Sequence, residues 1–148
     1  MSKRFLIALS IIFTALLLFQ CVSTPVDEPI IVVDKAEVNA VIKHFNEACY
    51  SILKGDTKTV YDKYLSASIQ KAQSYDEFVN EYNTNKENYI KLFSGAILKQ
   101  ISPEDKLTSA IVVWGSGESA LIEFAKENNI WKINHLRGPA VVFDQNMK

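Results

Sequence analysis

The sequence predicts an α+β domain: three N-terminal helices packed on a curved, mostly antiparallel four-stranded sheet. Three observations carry this. Apolar residues from Val38 to Leu53 recur at the three-four spacing of a helix with one buried stripe. From Ala96 onward the period changes to extended, in runs rich in β-branched and aromatic residues. The turns between those runs are so short that successive strands must be antiparallel neighbours.

Taken in order, the chain opens with Lys3 and Arg4 and continues as an uncharged, mostly apolar run from Phe5 to Phe19. A positive start, an apolar stretch and a boundary after it define a secretory leader. A spanning helix needs about 20 apolar residues, so this run is short for a retained anchor. Leu18-Phe19-Gln20-Cys21 resembles a bacterial lipobox: Leu18 and Cys21 match it, whereas Phe19 and Gln20 depart from its small residues. The resemblance implies cleavage before Cys21 and lipidation of its thiol. Two or more acyl chains, at roughly 0.8 kcal/mol per buried CH₂, anchor stably where one does not. Val22 rather than Asp follows the Cys, which resembles the outer-membrane kind of lipoprotein rather than the inner. The chain therefore divides into a leader over 1–20, a tether over 21–33, an α+β domain over 34–137 and a C-terminal tail over 138–148. In the tether, Pro25 and Pro29 exclude helix, while Ile30-Ile31-Val32-Val33 is apolar enough to dock on the domain.

Asp34, with Glu37 three residues on, reads as the N-terminal cap of the first helix, and Gly55 as its left-handed stop. Asp56 caps a second helix from Thr57 to about Leu65, which Ser66-Ala67-Ser68 ends before a short segment from Ile69. Ser74 and Glu77 form a capping box for the third helix, whose face carries Tyr75, Phe78, Val79 and Tyr82. The heptad-spaced Tyr75, Tyr82 and Tyr89 read as core contacts rather than an aromatic binding row. Four strands follow: Ala96–Ile101, Leu107–Trp114, Ser119–Lys126 and Ile130–Leu136. A further apolar run, Ala140–Phe143, lies in the tail.

Composition excludes some partners. With 16 Lys or Arg against 17 Asp or Glu, the formal net charge is −1, and the lysines are scattered among acids. No basic stripe exists for nucleic acid. If Cys21 is acylated, Cys49 has no cysteine partner, and its place on the first helix's apolar face makes it a small core hydrophobe.

The helix-then-meander order resembles the nuclear transport factor 2-like superfamily, and especially its small bacterial lipoproteins of unknown function. Phe45 through Lys54-Gly55-Asp56, Tyr64-Leu65-Ser66, Ser74-Tyr75-Asp76-Glu77-Phe78 and Trp131-Lys132-Ile133 carry the resemblance. It implies a cone-shaped fold with a cavity between sheet and helices.

Along the last strand, strict alternation puts Trp131, Ile133 and His135 on one face, turned to the helices. A His in such a cavity could serve as a base or a ligand contact; the plainer reading is a hydrogen-bonded His at a strand end. The candidate ligand-binding set is His135, Trp131, Tyr64 and Trp114. His44 and Glu47 lie one turn apart, but zinc needs three or four ligands and no further His or Cys stands at suitable spacing. Gly115-Ser116-Gly117 lacks the Walker pattern and reads as a hairpin turn. The sequence calls for no catalytic residue, cofactor or metal. It points to a lipid-anchored cell-envelope protein, attached to its membrane through Cys21. Its domain would be a non-enzymatic binding module for a small apolar ligand or a protein partner. Two alternatives stay open: an isomerase- or hydrolase-like enzyme pairing His135 with Tyr64, and a structural envelope-assembly protein dimerising through the sheet.

Overall fold

The computed structural model describes residues 34–138 and 141–144. The leader, Cys21 and the tether, including the expected docking of Ile30–Val33, lie outside the described residues.

Helix α1 (Lys35–Lys54) starts and stops where its end residues dictate. The Asp34 carboxylate accepts from the Ala36 amide at 2.8 Å, and Gly55 takes φ +73° while donating to the Ile52 carbonyl. Such a cap contributes about 1 kcal/mol. Val41, Phe45, Ala48, Cys49 and Ile52 form its buried stripe. Asp56 caps the short α2 (Thr57–Thr59), which runs directly into a π turn, Val60–Tyr64. Ser66 begins a helix rather than ending one: its hydroxyl caps α3 (Ala67–Ala72) by accepting from the Ile69 amide. The capping box opening α4 (Tyr75–Thr84) has both of its bonds, and the Ser74 hydroxyl and amide hold the Glu77 carboxyl below its usual range. The polar run after Tyr82 only interrupts the helix, and α5 (Lys86–Phe93) follows. Its Tyr89, Leu92 and Phe93 are buried. Tyr82 and Tyr89 are core residues in edge contact at 5.2 Å, while Tyr75 is half-buried against Tyr61.

The sheet is five-stranded and antiparallel in the order β1 (Ile97–Pro103), β2 (Leu107–Val113), β3 (Ser119–Glu127), β4 (Ile130–Gly138), β5 (Val141–Asp144). The four expected strands are present, and the tail adds a fifth that pairs with β4 over Leu136↔Phe143. Asn128 and Asn129 take φ +50° and +64° in the β3–β4 hairpin, the two left-handed positions a type I′ turn requires.

Two irregularities bend the ladder. In β1 the register shifts between Lys99 and Ser102, where Gln100 takes φ +50°. In β4 the pairing runs from Glu123↔His135 to Phe124↔Ile133, so Asn134 is an extra residue. It is held in place: the buried Ser66 hydroxyl donates to Asn134 Oδ1 at 2.9 Å, and the Ser66 amide donates to the Ile133 carbonyl. The chain after the π turn thus docks on β4 beside its bulge. Alternate residues of the sheet meet the helices through aromatic contacts. These include Phe45 with Phe124 at 6.3 Å, Phe78 with Phe143 at 5.8 Å and Phe93 with Trp114 at 5.2 Å.

Candidate functional site

The four side chains of the candidate set arrive in four different settings. The bulge at Asn134 overturns the expectation for His135. Strict alternation would place it with Trp131 and Ile133, but the extra residue reverses the phase, so Leu136 takes the core position opposite Ile122. His135 lies opposite Glu123 on the other face, half-buried, with an interaction of its own in the fold.

Tyr64 is buried and turns to α1, where its hydroxyl donates to Glu47 Oε2 at 3.1 Å. Lys63 stands 3.6 Å from the same carboxylate. Burial opposes ionisation of Glu47, but the Tyr64 hydroxyl together with the charges of Lys63, Lys43 and His44 lowers its pKa. His44, one turn before, is half-buried, with Nδ1 buried and without a hydrogen-bond partner among the described residues. Tyr64 and His135, which a cavity enzyme would need in one pocket, are not brought together.

Trp131 belongs to a lock between the start of α1 and the β3–β4 hairpin. Its indole N–H donates to Glu37 Oε2 at 2.7 Å, and Lys126 Nζ donates to Glu37 Oε1 at the same distance. Lys126 and Trp131 are direct cross-strand partners, so one carboxylate fastens two strands to the helix. The Lys126 bond first, then that of Trp131, holds Glu37 below the ordinary carboxylate range. Sequence reasoning assigned Glu37 to capping; nothing local reveals a partner lying some ninety residues away.

Trp114 closes the opposite end of the hairpin system. It follows β2, its backbone N–H donates to the Glu118 carbonyl at 2.8 Å, and Gly115 N–H donates to the Leu92 carbonyl at 2.9 Å. The β2–β3 turn is therefore docked on the end of α5. A Cβ on Gly115 would lie 1.9 Å from the Ser94 carbonyl oxygen, so only glycine permits that approach. Trp114 is 2% exposed, and its Nε1 is buried without a partner among the described residues. Beside it lies a groove of about 480 Å³ lined by Trp114, Glu118, Ser119, Ala120, Arg137 and Gly138. Arg137 and Gly138 lie just past Leu136, the last residue of the fourth expected strand; their meeting with Glu118 and Ser119 depends on how the strands pair.

The remaining reactive groups serve the fold. Cys49 is buried, and burial pushes its thiol up to about 12, which keeps it protonated and inert at neutral pH. Glu81 accepts from the Tyr89 hydroxyl at 3.0 Å and from Gln73 Nε2 at 2.7 Å, tying together α3, α4 and α5. Among the described residues, no group of three or more His, Cys, Asp or Glu is placed to hold a metal, and no helix is long and apolar enough to cross a membrane.

Toward β1, the face of the sheet carrying His135 has an apolar cluster bordered by Lys99, the cross-strand partner of Ile111. Ile111 and Leu121 are cross-strand partners there, and Ile97 partners Val113 in the next row. Ile97 and Leu121 are 50% and 48% exposed. No family model matches the chain, and neither does any curated protein.

Proposed function

We propose that this chain is a lipid-anchored protein of the bacterial cell envelope whose domain is a non-enzymatic binding module. The observation that carries the binding role is a partly exposed apolar patch on three adjacent strands: Ile97 and Leu121 are exposed and Ile111 and Val113 half-buried, with Lys99 and Ser119 beside them in the same rows. Such a contiguous patch, uncovered by the described residues, marks an interaction surface more often than a chance exposure. It is a face rather than a cavity, so it suits a protein partner of the envelope better than an enclosed small ligand. The anchoring rests on the charged start, the apolar run and Cys21, with Val22 favouring the outer membrane. The helix-then-meander order is the one expected of a nuclear transport factor 2-like cone, and that kinship is part of the same proposal.

Two measurements test it. Intact mass of the protein extracted from membranes is expected to show loss of 1–20 and an acyl adduct on Cys21; a product retaining Met1 or a bare Cys21 thiol would end the anchoring claim. A photocrosslinker at Leu121 in native membranes is expected to give one discrete adduct that disappears when Ile111 is changed to Asp. The same crosslinker at Glu87, an exposed residue of α5, serves as the control. Adduct patterns that do not differ between the two positions would end the binding-face claim. An adduct of twice the chain's mass would make the partner a second copy, the structural-assembly form of the proposal.

A further inference from the structure

We infer that the outward stripe of α1 lies on an anionic phospholipid surface and so sets the orientation of the domain on its membrane. This deepens the anchored binding-module reading and rests on the membrane attachment proposed above.

Helix α1 turns one stripe inward, where Phe45 meets Phe124 of the sheet. The opposite stripe runs Lys35, Asn39, Lys43, Asn46, Tyr50 and Lys54, residues three or four apart and all exposed. Tyr50 is 60% exposed, and Leu53, at its border, 39%. The acids of this helix are engaged elsewhere. Asp34 caps its end, Glu37 holds Lys126 and Trp131, and Glu47 accepts from Tyr64 beside Lys63. Among the described residues, Lys35, Lys43 and Lys54 form no ion pair. Lys54 instead lies over the Tyr50 ring, 4.3 Å from its centroid.

The chemistry of the stripe selects the surface. Its lysines stand about 12 and 16 Å apart along the helix axis. An anionic bilayer offers headgroup charge at every such position. Lysine stems and a tyrosine ring settle where headgroups meet acyl chains. The attachment of the chain agrees. Residues 22–33 separate Cys21 from Asp34, a reach of at most about 45 Å. They lead into α1 at Lys35, the first residue of the stripe. Tethering at Cys21 holds the helix near the bilayer at high effective concentration, so a few weak contacts suffice. With α1 on the bilayer, the sheet face carrying Leu121 turns away from it and is open to a partner.

Protein extracted from membranes is reconstituted into phosphatidylcholine vesicles with or without phosphatidylglycerol. It carries a photocrosslinking residue in place of Asn46 or, as the control, of Leu121. Mass spectrometry is expected to find phospholipid on position 46 in the anionic vesicles and none on position 121. Each of Lys35→Gln, Lys43→Gln and Lys54→Gln should lower that yield by up to about fivefold, the scale of one lysine at an anionic surface. Omitting phosphatidylglycerol should lower it further than any one of them. No lipid at position 46, equal lipid at both positions, a yield indifferent to phosphatidylglycerol, or an adduct of protein mass at position 46 overturns the inference. The intact mass of the same sample separates the two readings. Lipid on position 46 with a bare Cys21 thiol keeps the docking and removes the lipid anchor; an acylated Cys21 without lipid on position 46 does the reverse.

Discussion

Trp131 and Trp114 are buried to the same extent, 2% each, yet they do different things. Trp131 gives its indole N–H to Glu37 and, with Lys126, locks the hairpin to α1. Trp114 fills an equally dry position against Phe93 but leaves its N–H unspent beside a groove. An unpaired buried donor costs on the order of 1–3 kcal/mol, whereas a paired one contributes about 1. Burial alone therefore does not say whether an aromatic residue is structural; the fate of its one polar atom does. By that measure the Trp131 end of the sheet is closed and the Trp114 end is not.

The comparison can be broken by mutation. Trp131→Ala should be the most damaging change, at about 4 kcal/mol, because it opens a cavity and leaves the Glu37 and Lys126 charges to rearrange. Gly115→Ala should follow at about 3 kcal/mol, since its new methyl group meets the Ser94 and Lys91 carbonyls and must undock the turn from α5. Both are read from urea midpoints. The discriminating pair is smaller. Trp131→Phe should cost about 2 kcal/mol, through lost volume and a lost bond to Glu37. Trp114→Phe loses similar volume but also removes an unsatisfied donor, so it should cost about 1 kcal/mol or less. Equal costs for the two Phe variants would show that the polar atoms are energetically alike.

The smallest effect is a pH dependence confined to the Trp131 end. The folded pKa of Glu37 lies below its unfolded value. Its contribution is therefore complete above the unfolded value, about 4.3. It is lost as the pH falls through the lowered folded value. Wild-type protein should lose stability faster than Glu37→Gln as pH drops below about 5. Parallel urea-midpoint curves would refute that assignment.

How much of this was legible beforehand depends on whether the information is local. Asp34, Gly55, Ser74 with Glu77, and Asn128-Asn129 each act on a neighbouring backbone group, and each ends or turns an element where the sequence places it. The α+β class followed from periodicity for the same reason. What escaped depends on distant partners. Ser66 begins α3 while bonded to Asn134, a residue 68 positions away. Asn134 in turn slips the phase of β4, which sends His135 to one face and Leu136 to the other. Alternation read along a single strand cannot detect that extra residue. Of the four candidate ligand contacts, Trp114 has a buried polar atom without a partner among the described residues, and that is visible only once the possible partners have been positioned.

The carboxylate of Glu37 has a mechanical meaning as well. A pull arriving through the residues before Asp34 enters α1 within one turn of Glu37, whose two oxygens hold facing residues on adjacent strands. Tension is then divided between both strands instead of peeling the helix from one end, as a bridle spreads a rope's load over two points. In an optical trap with one handle attached before Asp34, the first rupture of Glu37→Gln should come at lower force than that of the unaltered chain; an unchanged rupture force would show that the load is borne elsewhere.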